Sequence, residues 1–482
     1  MRTSANGRRQ KALLKSLVSW GLLAFTPIVM ADDIDDFVKA EMTRLQIPAV
    51  AFAIVKNGQV VRREAIGVAD VAAKREAKVD DLYEIGSLTK QFTSMGVMFL
   101  VEGGRVNLDD SVSKYLHDAP AKWSAVKIRN LLVQDSGLPE YVTLPGVGLL
   151  DSFTRTQFMD AVGKLPVDFQ PGAAWAYSNT NYALLGWLIE DVTKEPYTKF
   201  IEENIIRPIG MNHTVFAEKG VTVDGLARGY VMRRRMRMPS PAGAASIKAD
   251  GALISNLADM VKWDAALTSL RLLTRKSYQT IWTRAVLNSG RSHAYGMGWY
   301  LNQPGTHGYM GHSGTSAGYS AGISRFPGPR LTVILLANMY GVGGEAMTKK
   351  IAVLFDPTLD NAPFAAVPDP DPQRTERVKA AIQAISTNNP DDPLLDPEYA
   401  VPMKTRRTRM ASFGTWGQIK QVDGIVFGGA RQQGADTFLT YRVSSGPRNF
   451  IVSVLWTTQG KLAQATITLE EPTKPAPAVG KG

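Results

Sequence analysis

Three residues apart in the stretch EIGSLTKQFT, Ser87 and Lys90 can do nucleophilic chemistry if one helical turn brings hydroxyl and amine together. A serine hydroxyl is a weak nucleophile and needs a neighbouring base to take its proton. A lysine amine held away from water can give up its own proton and serve as that base. The same spacing also describes an ordinary helix start with an exposed lysine one turn on. Spacing alone does not decide, because Ser-x-x-Lys recurs at Ser111–Lys114 and Ser124–Lys127.

The surroundings separate the three copies. Ser87 follows a glycine and heads the apolar run FTSMGVMFLVEGG. There Phe92, Met95, Met98 and Phe99 recur at helical spacing, and the run stops at Gly103-Gly104. Lys114 and Lys127 sit in short, polar, turn-flanked segments. Further on, WAYSNTNYALLGWLIEDV sets Tyr177, Ser178 and Asn179 in a turn after Pro171-Gly172 and before an apolar helix. Tyr177 also reads as a packed core tyrosine, and Asn179 as a helix cap. GHSGTSAGYSAGISRF then places His312, Ser313 and Gly314 at the start of a strand, with glycines that permit close backbone approach.

The elements that must position these residues follow from periodicity. DDIDDFVKAEMTRLQI reads as an amphipathic helix, and AVAFAIVKNGQVVRREAIG as two strands joined at Asn57-Gly58, a strong hairpin signal. Residues 85–270 read as mostly helical and rich in loops. Strands return in AYGMGWYL, GYSAGISRF and RLTVILLANM, and GGEAMTKKIAVLF closes as a helix. A sheet is thus begun early and completed late with helices inserted between, an α/β or α+β arrangement without repeating βαβ units. The expected organisation is a main body over 32–355 and a proline-rich linker over 356–372, DPTLDNAPFAAVPDPDP. A small α+β domain, a helix plus a β-meander, follows over 373–470, with a disordered tail over 471–482.

Composition narrows the classes. The 482 residues contain no cysteine, which removes disulfides, thiolate catalysis and cysteine zinc sites. Residues 1–31 resemble a signal peptide. Arg2, Arg8, Arg9, Lys11 and Lys15 precede the uncharged SLVSWGLLAFTPIVM, and small residues at Val29 and Ala31 suit cleavage before Asp32. The apolar run is short for a membrane span, so an exported protein, periplasmic or secreted, is expected. Without those five basic residues the net charge of +11 falls to +6, which gives little support to nucleic-acid binding. The clusters RRRMR (Arg233–Arg237) and KTRRTR (Lys404–Arg409) read as solvated strand faces, or as patches that meet anionic substrates, wall or lipid. His307 and His312, five apart with no acid between them, do not suggest a metal site.

In this order, Ser87-x-x-Lys90, Tyr177-x-Asn179 and His312-Ser313-Gly314 resemble the serine β-lactamase and penicillin-binding-protein superfamily. The likeness is to its class C-like branch of class C β-lactamases, D,D-peptidases, D-aminopeptidases and family VIII esterases. It runs from about Asp33 to Phe355, reinforced by IRNLLVQDSGLPEY, SNTNYALLGWLIE, IIRPIGMNHT and ADGALISNLADMVKWDAAL. It implies a β-lactamase/transpeptidase-like fold, an antiparallel sheet flanked by helices plus a mostly helical subdomain. It also implies a division of roles: Ser87 as nucleophile, Lys90 as base, Tyr177 passing a proton to the leaving group, and Asn179 positioning the substrate amide. The backbone N–H groups of Ser87 and Thr315 would form the oxyanion hole, where one donor contributes roughly 3 kcal/mol to the transition state.

One departure stands out. The third motif most often begins with lysine in β-lactamases, whereas His312 is neutral near pH 7 unless its surroundings raise its pKa. Histidine at this place also occurs among D,D-peptidases of the branch. The resemblance therefore implies a cofactor-free serine hydrolase acting on esters or D-amino-acid peptides, with peptidoglycan one source. A β-lactamase and a non-catalytic penicillin-recognising sensor or scaffold are the alternatives.

Overall fold

The computed structural model describes residues 31–470 except 149–150, 152, 219–220, 222, 235, 241–246, 302–307, 361–363 and 406–414. The expected signal peptide, all but Ala31, and the expected tail lie outside the described residues. Among the described residues no helix is long and apolar enough to cross a membrane.

The strand Ala49–Lys56 lies inside the main sheet and is buried on both faces, as its unbroken run of apolar side chains from Ala49 to Val55 requires. Val50, Phe52 and Ile54 point to one face, where Ile34, Val38 and Ile351 of two covering helices pack on them. Ala51 and Ala53 point to the other, against the large core of the helical region. Asn57 and Gly58 both have positive φ, 55° and 79°, as a two-residue hairpin turn requires. The chain returns as Gln59–Asp70 in antiparallel register.

Among the described residues seven strands make the main sheet, all antiparallel. Their order is Tyr300–Leu301, Met310–Ser316, Tyr319–Phe326, Leu331–Ala337, Ala49–Lys56, Gln59–Asp70 and Arg75–Glu76. Late strands thus complete a sheet that early strands begin. The expected strand in AYGMGWYL shrinks to Tyr300–Leu301. Gly298 lies in the left-handed region at φ 80°, where a Cβ would sit 2.9 Å from the Lys90 carbonyl oxygen, so this run is an irregular crossing packed on the next helix.

That helix, Thr89–Glu102, is buried almost all round, as a helix at the centre of a core must be. Phe92 stacks on Trp263 at 4.1 Å, while Phe99 reaches the surface edge-on to Phe200. A small three-stranded sheet of Tyr83–Glu84, Leu253–Ser255 and Val215–Phe216 holds the entry to this helix. Nothing in the sequence pattern points to it, because its strands are two or three residues long.

Beyond the main body, a four-stranded antiparallel meander, Gly424–Gln433, Asp436–Ser445, Arg448–Trp456 and Leu462–Leu469, packs on the helix Pro372–Ser386. It has its own core, including Val378, Ile382, Leu439, Val443, Phe450, Val452 and Val454. The proline-rich segment before it lies on this sheet: Val367 N–H donates to the Phe427 carbonyl, and the Arg442 guanidinium stands 4.5 Å over the Phe364 ring. Arg233, Met236 and Arg237 lie on an exposed hairpin, Tyr230–Arg233 with Met236–Pro239. Lys404 lies in the last turn of the helix Pro397–Thr405 and not on a strand, and Arg406–Arg409 fall outside the described residues.

Candidate active site

Ser87 sits in one 3-10 turn, Gly86–Leu88, that runs directly into the buried helix. The preceding residue anchors the turn: Ile85 N–H donates to the Leu253 carbonyl at 2.9 Å. Gly86 adopts φ 52°, and a Cβ there would lie 2.6 Å from the Thr315 nitrogen. Across the gap, a Cβ on Gly314 would lie 1.9 Å from the Ile85 carbonyl oxygen and 3.2 Å from the Ser87 nitrogen. Two glycines therefore let the serine turn and the strand Met310–Ser316 meet backbone to backbone. The Ser87 and Thr315 nitrogens both border this backbone contact, and Ser87 itself is half-buried.

Lys90, one turn on, is 0% exposed. Its Nζ is 3.0 Å from Ser87 Oγ, 2.7 Å from Asn179 Oδ1 and 2.6 Å from the Asp250 carbonyl oxygen. These three acceptors match the three hydrogens of an ammonium. As a neutral amine, the same nitrogen can accept from the Ser87 hydroxyl. Tyr177 and Tyr182 close over it, with ring centroids 5.0 and 5.5 Å from Nζ.

Tyr177 is half-buried and faces this cluster. Burial drives its phenol well above the usual pKa, nearby Tyr300 adds to the rise, and the hydrogen-bonding contact with Ser87 opposes it. Asn179 is the first residue of the helix Asn179–Thr193. Its N–H donates to Glu140 Oε2 at 3.0 Å and its Nδ2 lies 3.3 Å from the same oxygen, which turns Oδ1 toward Lys90. A carboxylate at a helix N-terminus is favourable for the helix as well. The Asn179 side chain is therefore not the cap; Glu140 takes that place.

His312 lies behind Tyr177, 1% exposed, with ring centroids 6.0 Å apart. Its Nδ1 is 2.6 Å from the Ser313 carbonyl oxygen and its Nε2 is 3.1 Å from the Tyr295 hydroxyl. Burial lowers its pKa to about 4, and the Lys90 charge pushes the same way. Both ring nitrogens are engaged in the buried interior, and the lowered pKa favours a neutral imidazole at physiological pH. Ser313 is half-buried and Thr315 exposed on the same strand.

The other two Ser-x-x-Lys copies are local structure. Ser111 caps the turn Val112–Lys114 through the Ser113 N–H, and Lys114 pairs with Asp110 at the surface. Ser124 ends the turn Ala121–Trp123, and exposed Lys127 lies 3.8 Å from Asp109.

Two acids escape notice when motifs are read alone. Asp250 offers Lys90 its carbonyl and accepts from the Tyr141 hydroxyl at 2.7 Å; burial raises its carboxyl pKa to about 6 against the pull of the Lys90 charge. Glu140 orients Asn179. Both occur in segments that carry the family resemblance, DSGLPEY and ADGAL, but Asp250 is 160 positions from Lys90, beyond any spacing rule.

Comparison with known proteins gives the family and the fold. A family model described as Beta-lactamase matches residues 34–354. The chain is 31% identical over 302 residues to a penicillin-binding protein of Bacillus subtilis, covering 59% of this chain and 66% of that protein. It is 28% identical over 315 residues to protein flp of Staphylococcus aureus, covering 64% and 62%. The chain thus spans slightly less than two thirds of each relative's length. Among solved structures, a D-stereospecific amidohydrolase from Streptomyces sp. superposes with TM-score 0.58 at 25% identity, covering 68% of this chain and 98% of its own. The D-amino acid amidase from Ochrobactrum anthropi SV3 gives 0.59 at 25%, covering 68% and 97%. The octameric penicillin-binding protein homologue from Pyrococcus abyssi gives 0.59 at 22%, covering 91% and 98%.

Proposed function

The chain belongs to the Beta-lactamase family of serine hydrolases, and from that premise we propose that it acylates Ser87 and passes the acyl group to water. The observation that carries this reading is the fully buried Lys90 amine, 3.0 Å from Ser87 Oγ and ringed by acceptors. A group built only to bind would have no use for a base at that place. In the first step Ser87 Oγ bonds to the substrate carbonyl carbon while its proton passes to Lys90. The oxyanion forms beside the backbone nitrogens of Ser87 and Thr315. Tyr177 hands a proton to the leaving alcohol or amine, and Asn179, oriented by Glu140, receives the substrate amide. Water then attacks the acyl-enzyme by the reverse traffic and regenerates Ser87.

The substrate class we favour is an ester or a D-amino-acid amide or peptide. D-amino-acid amidases are among the structural neighbours, and a neutral, buried His312 offers no cation to a substrate carboxylate. Penicillins, cephalosporins and D-alanyl peptide ends all carry such a carboxylate, so neutral esters and D-amino-acid amides rank first within this class. We also infer export, on the basic and then uncharged residues before Asp32.

A panel of p-nitrophenyl esters, D-amino-acid amides, D-alanyl peptides and a chromogenic cephalosporin tests the reading. Ester or D-amide turnover should exceed cephalosporin turnover at neutral pH. Cephalosporin turnover that matches or exceeds it would promote the β-lactamase reading. A stable adduct without turnover would indicate a penicillin-recognising sensor.

A further inference from the structure

The C-terminal unit meets the main body beside the catalytic tyrosine. A short hairpin, in which Ala285–Val286 pairs with Ser292–His293, carries Arg291 at its bend. Three carboxylates of the C-terminal unit close on this guanidinium: Asp436 at 2.6 Å, Glu398 at 3.2 Å and Asp396 at 3.5 Å. All three are nearly buried, where a charge-assisted cluster is strong and geometrically defined. Gln464 Nε2 adds a bond to the Ser292 carbonyl at 3.0 Å.

The hairpin in turn grips the segment that leads into Tyr177. Asn288 N–H donates to the Gly172 carbonyl at 2.8 Å and Asn288 Nδ2 to the Pro171 carbonyl at 3.0 Å. The His293 ring stacks on Trp175, with centroids 4.2 Å apart and planes 6° apart. Val401 of the C-terminal unit also packs on Phe169, Ala174 and Ala176 directly. Resting on the proposed role of Tyr177, we propose that the C-terminal domain is a brace for the catalytic tyrosine, with Arg291 as the positioning residue through which it acts. Its contacts run from three carboxylates through one arginine and one hairpin to residues 171–176.

Hydrogen exchange on the full chain, compared with Arg291→Ala, tests the brace separately from the chemistry. Peptides covering 169–177 and 285–295 should exchange at least about tenfold faster in the variant, as a local opening would allow, while strands 319–337 keep their protection. kcat on an ester should fall by about tenfold or more with little change in KM, since small displacements of a catalytic group cost up to about 100-fold. Arg291→Lys should recover part of both. Unchanged exchange at 169–177, or a uniform rise across the chain, overturns the brace. If Arg291→Ala does not fold, Asp436→Asn with Gln464→Ala serves the same comparison. A wild type without activity would remove the reading of Tyr177 as a proton carrier, and the exchange result would still decide the brace.

Discussion

Lys90 has its three acceptors because the fold delivers each from a different part of the chain. Ser87 comes from its own turn, Asn179 from a helix start and Asp250 from a loop. Ser87 and Lys90 were legible as a pair because they are three residues apart; Glu140 and Asp250 were not, because their partners are distant in sequence. His312 shows the limit of reading a residue by type. An exposed imidazole titrates at about 6.5, but burial and the Lys90 charge lower this one to about 4. The neutral form is therefore the native form down to that pH. The preference for carboxylate-bearing over neutral substrates should stay flat from pH 8 to 5 and rise only toward pH 4. The ratio of kcat/KM for a D-alanyl peptide and a neutral ester across that range measures it. A rise centred near the unperturbed histidine value would mean that the ring reaches solvent or substrate during turnover.

The serine turn works only because a strand can lie against it. Gly314 and Gly86 have no Cβ at the two points where backbone meets backbone, and at Gly314 an added carbon would overlap the Ile85 carbonyl at 1.9 Å. Gly314→Ala must therefore push the strand and the Thr315 nitrogen away from Ser87. Ester turnover should fall by about 100-fold or more, the scale of losing one oxyanion donor, while circular dichroism shows the chain still folded. Turnover near the wild-type rate in a folded variant would place the oxyanion elsewhere. These glycines also mark what pattern reading can do for elements. Apolar runs and turn chemistry revealed the Asn57-Gly58 hairpin and the strands Tyr319–Phe326 and Leu331–Ala337. AYGMGWYL misled because Gly298 serves a close approach to Lys90 and breaks the strand. The three-stranded sheet behind Ile85 is too short to leave a pattern.

At the scale of the molecule, one sheet begun by residues 49–70 and finished by 300–337 sets the serine turn against the late strand. The inserted helical region supplies Tyr177 and Asn179 from the other side. That closure was readable from the order of strands and helices, since a sheet started early needs its later strands to bury it. The docking of the C-terminal unit was not, because Arg291 and its three acids lie more than 100 positions apart and look like ordinary surface charge until they meet. Sheet, turn, helix and late strand all converge on a single oxygen atom, Ser87 Oγ. The most direct measurement is the site of covalent labelling by a fluorophosphonate, read by intact mass and peptide mapping. One adduct is expected, on the peptide containing Ser87, retained in Ser111→Ala and Ser124→Ala and absent from Ser87→Ala. An adduct that persists in Ser87→Ala, or that maps to Ser111 or Ser124, would contradict it.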